Sequence, residues 1–328
     1  MFKDRNILVT GGTGSIGSEI VRKVLQYAPK VIRVFSNDEN GLFNLEQELQ
    51  GYSNLRFLVG DVRDKERLKM AVENIDFIFH AAALKHVPLC EYNPFEAVAT
   101  NVIGTQNLID VVTEAEKVIT ISTDKAVNPV NVMGATKLLA ERLTICADYY
   151  KRKTVLSCVR FGNVLGSSGS VIPLFKKQIE KGGPITVTEP NMTRFVMSIS
   201  RAVDLVLEAT KMAQGGEIFI FKMPSVRMSD LTEVAIEEIA PKYGYNPKDI
   251  KINVIGKRAG EKRHEELMTE EEAMYAFETD EMFTLLPQTL GERQVTAKQA
   301  TVKRYLSQEQ QLLSKSEIKE LISKNKFL

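Results

Sequence analysis

The feature that most restricts the fold of this chain is a rhythm of short, almost uninterrupted apolar runs in its first half. Asn6–Thr10, Val31–Ser36, Leu55–Gly60, Asp76–His80, Val118–Ser122 and Val155–Phe161 each have strand length and little polar alternation. Such runs suit parallel strands covered on both faces. Helical patterns fill the intervals, at Ser15–Gln26, Glu39–Leu49, Lys65–Val72, Phe95–Thr113 and Val132–Tyr150. The alternation predicts an α/β chain with a doubly wound parallel sheet. Beyond Gly162, Gly and Pro become frequent and the elements shorten. Ala202–Met212 and Glu217–Lys222 read as a helix and strand returning to the sheet, and Ser229–Ile239 belongs to a smaller lid.

These shifts divide the chain into a dinucleotide-binding domain over 1–165, rejoined by 196–222, and a smaller C-terminal substrate-binding domain from 166–195 and 223–300. A tail over 301–328 carries two short polar helical patterns within Ser307–Lys324, broken near Ser314. It is either a solvated terminal helix or a surface for a neighbouring subunit. A length of 328 residues fits one large domain or two sharing a core.

A net charge of +1 gives no basis for binding nucleic acid or an acidic membrane, and the absence of Trp argues against base stacking. Cys90, Cys146 and Cys158 are spaced for neither a zinc framework nor a CxxC pair, and His80, His86 and His264 add no metal-ligand spacing. No metal is expected, and the cysteines read as core thiols in a reducing compartment. The N-terminus enters a strand at once and no apolar run reaches about 18 residues, so a cytoplasmic protein without membrane insertion is expected.

Gly11, Thr13, Gly14, Ser15, Ile16 and Gly17 lie between the first strand and the first helix, which makes the glycine pattern a dinucleotide (Rossmann) fingerprint. The helix start offers free N–H groups and a positive dipole end to a pyrophosphate. NAD or NADP is therefore expected. The choice is read at Ser36-Asn37-Asp38, where a carboxylate could accept from a ribose 2′-OH or merely begin the next helix; no Arg stands there to favour a 2′-phosphate. Asp61 and Val62 are placed for the adenine edge. Ala81, Ala82 and Ala83 allow close approach of the nicotinamide ribose, and Lys85 and Asn101 complete the expected cofactor contacts.

Thr123, Asp124 and Lys125 follow the fifth strand at the carboxyl edge, where ligands bind in such sheets. Thr123 can hydrogen-bond a sugar hydroxyl, Asp124 can give or take a proton, and Lys125 can act as a base if desolvation leaves it neutral. A solvated Asp turn is the plain alternative. Lys137 lies one helical turn after Met133, on the same face, and can hold a nicotinamide ribose. No Ser-His-Asp set or GxSxG elbow is present.

The blocks TGGTGSIGS, GDVRD, HAAALKHVP, STDKAVNP, MGATK, RFGNVLGSSGSVIP, MTRFVMS and RAGEKRHEEL resemble the UDP-N-acetylglucosamine 4,6-dehydratases, extended short-chain dehydrogenase/reductases that make surface-glycan sugars. The likeness runs from about residue 3 to about residue 290. It implies a substrate, UDP-N-acetylglucosamine, and three steps. The C4 hydroxyl loses hydride to a tightly bound nicotinamide, water leaves across C5–C6, and the hydride returns to C6. The cofactor is regenerated each turnover. By resemblance Lys125 removes the C5 proton and Asp124 protonates the departing O6. Short-chain dehydrogenases usually carry Tyr at the position of Met133; this chain resembles the subset with Met. Thr123 is then a candidate relay for the C4-hydroxyl proton, with Asp124 as sink, and a bound water is the rival. Where many relatives carry an Arg that favours NADP, this chain has Asn37.

In the family the segment of Asn163, Ser170 and Val171 meets the nucleotide-sugar phosphates. Arg194 and Arg258 are expected as diphosphate clamps, and Glu261 as an acceptor for a uridine-ribose hydroxyl. Lys85 and His86 would line the sugar pocket; His86 could instead act as an acid or base. The resemblance also implies a homo-oligomer. A UDP-hexose 4-epimerase, which needs no elimination acid, is the second enzyme reading, and a non-catalytic nicotinamide-binding scaffold is a third that only Met133 favours. Inverting and retaining enzymes share these motifs, and the lack of spans leans toward the inverting forms.

Overall fold

The computed structural model describes residues 1–151, 153–287 and 297–324. Strands β1 (Asn6–Thr10), β2 (Val31–Ser36), β3 (Leu55–Val59), β4 (Phe77–His80), β5 (Lys117–Thr123) and β6 (Val155–Phe161) pair in parallel in the order β3-β2-β1-β4-β5-β6. Ile218–Phe221 continues the sheet parallel to β6. Met282–Leu285, Ala276–Glu278 and Lys298–Gln299 then add antiparallel edge strands. The stretch 223–300, expected to belong with the substrate-binding part, thus also supplies one border of the main sheet.

Alternation within each strand serves two cores. Ile7 and Val9 face one layer with Ile20, Val21 and Val24 of the helix Ser15–Leu25 and with the helix Ile199–Met212. Leu8 and Ile78 face the other, with Leu68 and Leu108 from Lys65–Val72 and Gly104–Val111. Burial on both faces is why the strands read as continuous apolar runs. Side chains at the helix starts satisfy open N–H groups: Asp38 accepts from Gly41 N, Asp64 from Arg67 N, and Asn131 from Gly134 N ahead of Val132–Ala147.

The single helix expected over Phe95–Thr113 is three elements: Pro94–Val98, a π turn at Ala99–Ile103, and Gly104–Val111. The wide turn sets Asn101 against the loop after β4. Its amide accepts from Leu84 N at 2.8 Å and donates to Leu84 O at 3.0 Å and Thr136 Oγ1 at 2.9 Å. All of these bonds stay within the protein, so Asn101, expected among the cofactor contacts, holds the loop after β4. A short helix, Val87–Tyr92, also went unread in the sequence.

The lid has its own core, in which Ile172 and Phe175 of Val171–Glu180 meet Ile236 and Ile239 of Met228–Ile239. The tail joins it. Ile318 and Ile322 of Lys315–Lys324 are fully buried there, and Lys319 pairs with Glu238 at 2.7 Å. The helix is therefore not a solvated one: its apolar face braces the lid of its own chain. Below the lid, the buried Arg160 guanidinium joins Glu141 at 2.8 Å, Glu272 at 3.0 Å and Leu267 O at 3.0 Å. It thereby ties β6, the helix Val132–Ala147 and the capped turn at Thr269–Glu272 together.

Candidate active site

Two cavities meet along the carboxyl edge of the sheet, sharing Gly11, Gly14, Ala81, Ala83 and Leu84. The first, about 270 Å³, is lined by Thr13, Ser36, Asn37, Asp38, Asp61, Val62 and Ala82 among others. Gly11 has φ +64°, and a Cβ there would lie 2.6 Å from Ala82 N, so the loop can wrap this tightly only with glycine. Thr13 Oγ1 and Ser36 Oγ are 2.8 Å apart. Asp38 is occupied at Oδ1 as a helix cap, and Asn37 donates to Asp61 at 3.1 Å. Arg63, which the sequence reading passed over, also lines this cavity, bonded to Asp61 at 2.7 Å and to Glu96. The Arg63 guanidinium holds the Asp61 carboxyl below its usual range.

The second cavity, about 490 Å³, holds Ser15, Ile16, Gly17, Lys85, His86, Thr123, Lys125, Met133, Lys137, Asn163 and Ser170 in its walls. Burial pushes the Lys137 ammonium down in pKa, and Nζ donates to Ile121 O at 2.7 Å. Met133 is buried and packs with Cys90 and Ala97. His80, beneath this region, hydrogen-bonds Thr10 Oγ1 at 2.7 Å and Thr105 Oγ1 at 3.1 Å. Burial, helped by the Lys137 charge, lowers its pKa to about 3, so it is a neutral core residue.

At the centre, Thr123 Oγ1 donates to Asp124 Oδ1 at 2.7 Å and Lys125 Nζ donates to the same oxygen at 2.9 Å. Asp124 is wholly buried and its Oδ2 has no partner among the described residues. Burial disfavours the Lys125 charge, but Asp124 and Glu265 outweigh it and raise the pKa, so the free protein holds an ammonium rather than a ready base. Ser122 Oγ, Asn163 Oδ1, Ser170 Oγ and Glu265 Oε2 are likewise buried without partners. Unsatisfied buried polar atoms are uncommon; Ser122, Asn163 and Ser170 line the second cavity and Glu265 the adjoining third, which marks a site shaped for a polar ligand, while Ser225 Oγ lies outside both.

A third cavity, about 170 Å³, continues from Lys125 and Asn163 to Arg194, Arg258, Glu261, Lys262 and Glu265. The Arg194 guanidinium donates to the carbonyls of Thr193, Lys262 and Arg263 at 2.8, 3.0 and 3.1 Å. It orders the loop besides presenting charge. Arg258 is exposed at the rim, and Glu261 accepts from Thr188 Oγ1 at 3.4 Å. Val171 begins its helix and packs on the lid core, away from these walls. His86 precedes the helix Val87–Tyr92; burial first, then the Lys85 charge, lowers its pKa. Glu265 is the residue the sequence reading missed at the centre. It sits in the RAGEKRHEEL block among other charges, and only its burial separates it from them.

Geometry and fold define an extended short-chain dehydrogenase/reductase with a nucleotide-sized cleft. The chain belongs to the polysaccharide biosynthesis protein family, whose profile matches residues 7–287. It is 60% identical to an uncharacterized membrane protein of Methanocaldococcus jannaschii over 100% of this chain and 98% of that one. Among the described residues, however, no helix is long and apolar enough to cross a membrane. It is 41% identical to an inverting UDP-N-acetylglucosamine 4,6-dehydratase of Campylobacter jejuni, covering 88% of this chain and 84% of that one. It is 42% identical to a UDP-glucose 4-epimerase of Rickettsia rickettsii over 83% and 80% of the two chains. The crystal structure of Pen from Bacillus thuringiensis superposes with a TM-score of 0.95 at 48% identity, covering 100% of this chain and 99% of Pen. At 22% identity and a TM-score of 0.71, a dTDP-glucose 4,6-dehydratase from Streptomyces venezuelae with NAD bound shares the fold, over 78% and 86% of the two chains.

Proposed function

We propose that this protein is a nucleotide-sugar 4,6-dehydratase that converts UDP-N-acetylglucosamine to a UDP-4-keto-6-deoxy-N-acetylhexosamine. The observation that carries this reading is the buried Asp124 carboxylate, joined through one oxygen to both the Thr123 hydroxyl and the Lys125 ammonium. An epimerase needs one proton acceptor at C4. Elimination needs an acceptor at C5 and a donor at O6 as well, and the trio supplies groups for all three.

The glycine loop, the alanine floor and Lys137 fit a nicotinamide dinucleotide. When bound, it accepts and later returns the hydride. Three carboxylates, Asp38, Asp61 and Glu96, face the first cavity against one guanidinium, Arg63. That balance supports a free ribose 2′-hydroxyl, and hence NAD over NADP. Thr123 would pass the C4-hydroxyl proton to Asp124. A ketone at C4 then acidifies C5–H, Lys125 would take that proton, and Asp124 would release O6 as water. Arg194 and Arg258 would face the diphosphate, whose planar oxygen pairs a guanidinium fork matches.

The test is proton NMR of the product formed from UDP-N-acetylglucosamine in deuterated water. A C6 methyl signal with deuterium at C5 is expected, and the same spectrum gives the C5 configuration. The epimerase reading has support from the Rickettsia relative. It predicts a C4 epimer with C5–H intact and no methyl signal, and that spectrum would replace the dehydratase reading.

A further inference from the structure

We propose that Glu265 is a proton store that converts Lys125 into a base between C4 oxidation and elimination; the inference rests on the dehydratase reading. Elimination requires Lys125 neutral and Asp124 protonated at the same moment. The free protein presents the opposite state, with the Lys125 ammonium between two carboxylates. Oxidation at C4 delivers one proton through Thr123 to Asp124, which leaves Lys125 still charged. A second acceptor is needed for the lysine proton.

Glu265 fits that role. Its Oε1 lies 3.9 Å from Lys125 Nζ, within ion-pair reach, and its Oε2 has no hydrogen-bond partner among the described residues. Its backbone is fixed on both sides by Ser307, with Glu265 N donating to Oγ at 2.9 Å and Ser307 N donating to the Glu265 carbonyl at 2.9 Å. The charged groups facing it are Lys125 and Asp124 from the turn after β5, Arg194 from Thr193–Ser198 and Lys262 from its own loop. Burial raises the proton affinity of the Glu265 carboxyl, while Lys125 opposes the rise.

The protons balance. C4–H breaks with its electron pair passing to the nicotinamide, and the O4 proton goes to Asp124. Lys125 gives its proton to Glu265. The neutral amine takes the C5 proton, the C5=C6 bond forms, C6–O6 breaks, and Asp124 protonates O6, which leaves as water. Hydride returns to C6 and the Lys125 proton to C5. Glu265 then returns its proton to Lys125, and all three side chains regain their starting states. Glu265 acts through Lys125 and is a positioning residue for its charge.

The experiment is a single turnover of the Glu265→Gln holoenzyme with UDP-N-acetylglucosamine in deuterated water. It follows reduced-nicotinamide absorbance and deuterium at C5. Absorbance should rise near the wild-type rate and persist, while C5 deuteration and product fall about 10²-fold, the scale of one acid–base group. The block should ease as pH rises, because solvent then deprotonates Lys125, and Glu265→Asp should recover part of the rate. In substrate-free protein, NMR titration of labelled lysine should show Lys125 losing its proton at lower pH in Glu265→Gln. Wild-type deuteration in Glu265→Gln overturns the proposal. So does an equal loss of cofactor reduction and elimination without recovery at high pH, the mark of a structural role. Wild-type protein that only interconverts C4 epimers overturns the dehydratase reading itself, and this inference falls with it.

Discussion

Thr123 and Lys125 both donate to one oxygen of Asp124, so replacing either removes a donor from that carboxylate. Thr123→Val removes the hydroxyl and keeps the shape. Stopped-flow absorbance should show the first hydride transfer slowed about 10²–10⁴-fold, and rapid cofactor reduction in this variant would end the relay idea. Met133→Leu should keep that step, because a buried thioether exchanges no proton. The trio was legible in the sequence because its members adjoin at a strand end. Glu265 was not, since it reaches Lys125 from 140 residues downstream and looks on paper like one more carboxylate in a charged run. The ammonium state of Lys125 was equally invisible, because it follows from which charges surround it after folding.

Elements were legible where one physical cause dominated. β1 to β6 could be read because burial on both faces leaves no room for polar alternation. The π turn at Ala99–Ile103 could not, because Asn101 and the Leu84 loop select it through contacts distant in sequence. The tail helix was readable as a helix but not as a brace, since its partner surface forms only when the lid folds. Ile318→Ala should therefore destabilise the protein by about 2–5 kcal/mol in chemical denaturation, as for other buried Ile truncations. Arg160→Met leaves Glu141 and Glu272 facing each other without their cation. It should cost about 3–5 kcal/mol, far more than removing an exposed ion pair such as Lys65–Asp110.

Across the whole molecule, the sheet edge supplies the glycine-lined cavity and the lid supplies Glu265, Arg194 and Arg258. A ligand bound to the folded form alone stabilises it by about 2.7 kcal/mol at 100 times its dissociation constant. NAD should raise the melting temperature more than an equal concentration of NADP, because Asp38, Asp61 and Glu96 repel an added phosphate; the reverse order in a thermal-shift titration would refute the NAD assignment. One last feature reaches furthest. Ser168 N donates to Ser15 Oγ at 3.0 Å, Lys85 Nζ donates to Ser168 O at 2.6 Å, and a Cβ on Gly169 would strike the His86 ring at 2.3 Å. This strap ties the glycine loop to the loop after β4 in the wall of the second cavity. On the dehydratase reading a dinucleotide held between those loops has no need to depart, so the catalyst should behave as a one-reactant machine, its throughput set by sugar supply and indifferent to the cell's redox balance.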